Sequence, residues 1–136
     1  MNTELAISYL KKANIRSKLI NLAFELHGYS DVIHDAQSLV ELCVKSMLLF
    51  KGINVPKFHE VSGLLLEHRD KFPEFAQDAF PKIVKISKTL RRNRELSFYG
   101  DEDFIPTDEY TEDEALEAME NAKYVLQITE SVILKN

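Results

Sequence analysis

The stretch that decides the fold is Ser30–Gly52, SDVIHDAQSLVELCVKSMLLFKG. Its apolar positions Ile33, Ala36, Val40, Cys43, Val44, Met47 and Leu48 recur every three or four residues, the spacing that lines one face of an α-helix. Ser30 and Asp31 stand where an N-cap oxygen is wanted, and Gly52 can adopt the left-handed backbone that closes a helix, with Pro56 soon after. The segment reads as a second helix and the most apolar one.

Outward from it the same period continues. From Thr3 to His27, Leu5, Ala6, Tyr9, Leu10, Ala13, Ile20, Ala23 and Phe24 form a stripe broken only at Arg16 and Ser17, which predicts a first helix ended by Gly28. Between Pro56 and Pro73, Val61, Leu64 and Leu65 with His68 predict a short third helix of about three turns lying across the others. Phe72, Phe75 and Phe80 crowd a segment with Pro73 and Pro81. A turn of helix is expected there, then a fresh start with Pro81 in the first turn, where its missing N–H costs nothing. The fourth helix then runs to about Ser97, apolar at Ile83, Ile86, Leu90 and Leu96, strongly basic elsewhere, and closed by Tyr99 and Gly100. Asp101 to Tyr110 is an acidic link containing Pro106, longer than the usual ~2–8 residues between helices. Thr111-Glu112-Asp113-Glu114 matches the capping box. It opens a last helix to about Leu134, striped by Ala115, Leu116, Met119, Ala122, Leu126, Thr129 and Ile133. The expectation is an all-α fold, an up-and-down four-helix bundle with an additional short helix, five helices in one domain over 1–136.

Composition agrees. With 4 Gly and 4 Pro in 136 residues, turn residues are too few for a β-sandwich, and 45% hydrophobic content is too high for a disordered chain. A single cysteine, Cys43, excludes an internal disulfide and any multi-Cys metal site, and points to a cytoplasmic protein. No apolar run approaches the ~20 residues that cross a bilayer, so no membrane partner is expected. The net charge of -5 is unevenly spread. Between Glu95 and Ala122 stand eleven Asp or Glu and no Lys or Arg, and the rest of the chain carries eleven acids against 17 bases. The acidic total therefore does not argue against a polyanionic ligand, which responds to local potential.

Motifs for most catalytic classes are missing. The four glycines are scattered, so there is no phosphate-cradling loop, and the four histidines form no metal-binding pair, Asp31-x-x-His34 being a lone half-motif. No cofactor and no metal are expected, and Cys43, on an apolar stripe, reads as a core thiol. The strongest local signal is Lys85 to Asp101. Lys88, Arg91 or Arg92, and Glu95 share one strip, whereas Arg94 falls toward Ile83, Leu90 and Ser97 and so toward the interior. A guanidinium held there with the Tyr99 hydroxyl nearby would suit a phosphate, and the same guanidinium could instead pin carboxylates of residues 101 to 109. Spacing leaves both roles open.

The run from Asp35 to Val61, with Glu41, Lys45, Gly52, Pro56 and His59, resembles the HEPN domain (higher eukaryotes and prokaryotes nucleotide-binding). So does the later run from Arg94 to Asp101 with Pro106, Tyr110 and Thr111 to Ala122. The resemblance implies five helices, usually a homodimer with the basic end of the fourth helix near the subunit interface, and often a small nucleotidyltransferase partner in a toxin–antitoxin-type module. Many members are metal-independent ribonucleases bearing Arg, four to six residues, then His. Here Arg94 is followed after four residues by Tyr99, and Arg92 after five by Phe98. With a reference pKa near 10, tyrosine is a poor base at neutral pH, so efficient ribonuclease activity is not expected. His59 reads as a cap or interhelix hydrogen bond. The expected function is binding of a nucleotide or RNA phosphate through Lys88, Arg91, Arg94 and Tyr99. The alternatives are an active ribonuclease toxin using Arg94 and Tyr99, and a purely protein-interacting bundle.

Overall fold

The computed structural model describes residues 2–57, 60–94 and 98–134. Helix α1 spans Thr3–Glu25, α2 Tyr29–Phe50, α3 Gly63–Glu67, α4 Glu74–Arg92, α5 Pro106–Glu109 and α6 Glu112–Leu134, with a 3-10 turn at Arg69–Lys71. The only strand-like feature among the described residues is one isolated bridge between Asp101 and Phe104.

Helix α2 is the axis. Val32, Ala36, Leu39, Val40, Cys43, Met47 and Leu48 are buried on it, and it packs most extensively against α1 and α6, then α4. The four long helices share one apolar core, Phe80 of α4 included, that also takes in Leu65, Phe72 and Tyr110. A buried hydroxyl ties α2 to α1: Ser46 Oγ donates to the Ala6 carbonyl at 2.6 Å.

Helix ends follow from local chemistry. After α1 the Gly28 N–H bonds to the Ala23 carbonyl at 2.8 Å and the His27 N–H to Phe24 at 3.0 Å, a Schellman closure. The left-handed residue is His27, φ 61°, rather than Gly28. The same closure ends α2 with Gly52 at φ 75° and the Ile53 N–H on Leu48. Gly28 serves both helices, because it N-caps α2 as well. Helix α2 therefore begins before the Ser30–Asp31 pair, and Ser30 is buried in its first turn instead of capping it. The capping box at the start of α6 is present: Thr111 Oγ1 accepts the Glu114 N–H and Glu114 Oε1 accepts the Thr111 N–H, both at 3.1 Å.

Further expectations fail, among them the count of five helices, since six α-helices stand among the described residues. The third helix is a single short helix followed by the 3-10 turn, not three α-turns. Helix α4 does not restart at Pro81 but runs unbroken through it from a Pro73 cap, with Ala76, Ala79 and Phe80 buried before it and Ile83 and Val84 after. Pro81 faces solvent, so the Gln77 carbonyl it leaves unpaired in the helix can be hydrated. At its other end α4 stops at Arg92, with Asn93 as C-cap. The chain is helical again at Arg94 and at Phe98. The predicted positions of His59, Glu95, Leu96 and Ser97 lie outside the described residues.

The acidic link is structured. Asp101 and Phe104 exchange backbone hydrogen bonds at 3.0 and 3.2 Å, and Asp101 Oδ1 accepts the Asp103 N–H at 2.9 Å. Phe104 meets the Tyr110 ring edge-on at 5.6 Å, and the Tyr110 hydroxyl donates to Asn93 Oδ1 at 3.4 Å. An aromatic pair and one side-chain amide thus fasten the link to the end of α4.

Candidate functional site

The polar end of α4 and the polar face of α2 hold the candidate groups. On the outer side of α4, Lys88, Arg91 and Arg92 line an open hollow of about 660 Å³ together with Glu60. Helical spacing puts these cations there, since Arg91 and Arg92 follow Lys88 at three and four residues, one turn further along the same side. Glu60 comes from the segment before α3. Its Oε1 accepts the Ser62 N–H and the Ser87 hydroxyl of α4, each at 2.9 Å, which holds the carboxylate at the floor of the strip.

Arg94 is exposed, contrary to the interior placement expected from its helical angle. The angle assumed one continuous helix, and the turn at Asn93 breaks the count. Its positive charge acts on Glu41 of α2. Tyr99 is 77% exposed. Its ring meets Phe98 edge-on at 4.7 Å, and Phe98 stacks on the imidazole of His34 at 4.4 Å. The four predicted residues therefore divide. Lys88 and Arg91 share the hollow with Arg92, while Arg94 acts on Glu41 of α2 and Tyr99 packs on Phe98, which in turn stacks on His34 of α2, and among the described residues neither Arg94 nor Tyr99 lines the hollow.

Glu41 and Lys45 carried the family resemblance, but sequence reasoning did not read the α2 face around them as a site. His34, Ser38, Glu41 and Lys45 recur at four, three and four residues along an otherwise apolar helix. Lys45 Nζ and Gln37 Nε2 each donate to the Glu41 carboxylate at 3.0 Å. Burial raises the Glu41 pKa, but the Lys45 and Gln37 hydrogen bonds and the Lys45 and Arg94 charges more than offset it, holding the carboxyl below its ordinary value. At the N-terminal end of this face, Asp35 Oδ1 lies 3.5 Å from His34 Nδ1 and 3.6 Å from Arg16 of α1. Tyr9, Lys12, Arg16, Glu41 and Lys45 line a groove of about 490 Å³ between α1 and α2. The signal was there to read: a charged strip on the helix that is otherwise deepest in the core has a reason to be polar.

Among the described residues no group of His, Cys, Asp and Glu could hold a metal ion, and no ion pair joins Arg91 to the acidic link. No helix of the described chain is long and apolar enough to cross a membrane.

The HEPN domain profile matches residues 6–132, a span that runs from α1 to the end of α6. The chain belongs to the HEPN domain family. A curated relative, "Putative toxin MJ1304" of Methanocaldococcus jannaschii, is 26% identical over 133 residues, covering 93% of this chain and 87% of that protein.

Proposed function

We propose that this HEPN domain binds the phosphate of a nucleotide or of RNA at the end of α4, through Lys88 and Arg91 with Arg92 in the hollow, and Arg94 with Tyr99 on the α2 side. The observation that carries the reading is the open hollow, where three cations face a single carboxylate. Arginine suits the task because its planar fork meets phosphate oxygens in pairs. Exposed Tyr99, backed by Phe98 and His34, offers a ring against which a base could stack. The relative's name supports a role in a toxin–antitoxin-type module; a small nucleotidyltransferase as the partner, two copies of this chain acting together, and a cytoplasmic setting belong to the reading as what the family resemblance and the cysteine-poor composition imply. Ribonuclease activity is expected to be inefficient, because Tyr99, which follows Arg94 after four residues, offers a phenol in place of an imidazole.

Titration with ATP and with single-stranded RNA at low salt tests the reading. Combined Lys88→Ala, Arg91→Ala and Arg94→Ala substitutions should weaken binding at least about tenfold, each lost charge-assisted contact counting for ~1 kcal/mol or more. Equal, negligible binding by parent and variant would refute it.

One observation favours the alternative of an active, metal-independent ribonuclease toxin. An imidazole does lie against this segment, since His34 stacks on Phe98 and has Asp35 beside its Nδ1. On that reading, RNA cleavage is lost in His34→Ala while RNA binding persists. Undiminished cleavage by the variant would exclude it.

A further inference from the structure

Glu60 is the one group in the hollow that a bound phosphate does not account for. Lys88, Arg91 and Arg92 line the hollow with it, and a carboxylate beside them repels the ligand that they attract. Nor is it spent on neutralising them: among the described residues no ion pair joins Glu60 to any of the three. The carboxylate is held from elsewhere. Its Oε1 accepts the Ser62 N–H from the segment before α3 and the Ser87 hydroxyl from α4, each at 2.9 Å. Its Oε2 has no protein donor among the described residues and is not enclosed, so one fixed, charged acceptor stays open to whatever enters the hollow.

An acceptor of that kind selects its partner. A carboxylate only accepts, so the ligand must bring a donor to it. Three positive side chains lining the same space disfavour a further cation, which leaves a neutral N–H or O–H. Position narrows the choice. Ser87, which holds the carboxylate, is followed four residues later by Arg91, its neighbour one turn along the same side of α4 at roughly 5–6 Å between Cβ atoms. A phosphate seated on the Arg91 guanidinium is esterified to a sugar, so the sugar is the first group to come within reach of Glu60, and the base lies beyond it. The donor that ribose carries and deoxyribose lacks is the 2′-hydroxyl.

We propose that Glu60 reads the sugar of the bound nucleotide: its open oxygen accepts a hydrogen bond from the ribose 2′-hydroxyl, so the hollow takes ribonucleotides and RNA in preference to their deoxy counterparts. The proposal rests on the phosphate reading above, because Lys88 and Arg91 bring the sugar to the carboxylate, and it adds the group that chooses among phosphate-bearing ligands. The choice is made from both sides. With a 2′-hydroxyl present, the carboxylate gains a charge-assisted hydrogen bond; without one, it is an unpaired negative charge facing a polyanion.

The test is titration at low salt with single-stranded RNA, DNA and 2′-O-methyl RNA of one sequence, and with ATP and dATP, against the parent chain, Glu60→Gln and Glu60→Ala. The parent should bind RNA about five- to tenfold more tightly than DNA, with ATP and dATP in the same order. The 2′-O-methyl RNA, which keeps the oxygen but cannot donate, should bind like DNA. In Glu60→Ala the preference should vanish while DNA binds as tightly as to the parent or more so, since the repelling charge has gone; damage to the fold would weaken RNA and DNA together. Glu60→Gln, which keeps an acceptor without the charge, should fall between the two. RNA and DNA bound equally by the parent, in a manner lost with Lys88, Arg91 and Arg94, would overturn the ribose contact and leave the phosphate reading standing, whereas no binding of either would overturn both. A preference for RNA that survives Glu60→Ala unchanged, or that 2′-O-methyl RNA shares, would overturn the proposal as well.

Discussion

The ion pair of Glu41 and Lys45 sits three-quarters or more out of water, with the two side chains 25% and 18% exposed. Removing one member leaves the other partly buried and uncompensated, so Lys45→Met should cost about 1–3 kcal/mol of stability at neutral pH, read from urea unfolding. The folded Glu41 carboxyl titrates below its unfolded value. Its contribution is therefore fully present above the unfolded pKa and fades as pH falls through the folded one. Glu41→Gln should accordingly flatten that part of the acid limb of the stability curve, and an unchanged acid limb would count against the pair. Gly100 is a residue of another kind. At φ +71° it occupies left-handed backbone, and a Cβ there would meet the Phe104 carbonyl and come 2.5 Å from Pro106 Cδ. Gly100→Ala should lose about 1–3 kcal/mol and loosen the turn that precedes α5, visible as a lower melting temperature.

At the scale of elements, legibility followed how local the governing interaction is. The start of α6 could be read because the capping box closes within Thr111–Glu114. The start of α2 could not: Ser30–Asp31 looks like a cap, but the Schellman closure of α1 commits Gly28 to that position first. Pro81 was misread for the same reason. Proline's local rule favours a helix start, and tertiary burial of Ala76, Ala79, Phe80 and Ile83 on one face keeps the helix running across it. That burial outweighs a missing hydrogen bond on the solvent side, which makes Pro81→Ala a stabilising change. A gain of about 1–3 kcal/mol in urea midpoint stability at unchanged m-value is expected. In the site, Lys88 and Arg91 were legible from spacing within α4. Arg94 was not, because its direction depends on a break at Asn93 that no periodicity announces. The polar strip on α2 escaped as a site, although Glu41 and Lys45 carry the family resemblance, because His34 and Ser38 look ordinary alone.

For the molecule as a whole, α2 runs through the common core, and Cys43 lies at its middle with no exposed surface. Burial is the main cause that pushes its thiol up to about 12, with Thr129 acting weakly the other way. The thiol is thus a reporter of global opening: at pH 8 its reaction with a disulfide reagent should track unfolding followed by circular dichroism, and fast labelling of the folded chain would contradict the packing described. Charge is organised on the same scale, with cations at the end of α4 and acids from Asp101 to Glu120. Between the cations stands Glu60, fixed by Ser62 and Ser87. It amounts to a resident counterion, one that cannot diffuse away when a polyanion arrives. Association there would release fewer salt ions than three cations alone would imply, so affinity should fall with rising salt less steeply than in Glu60→Gln. The hollow gives up part of its attraction in exchange for tolerance of ionic strength.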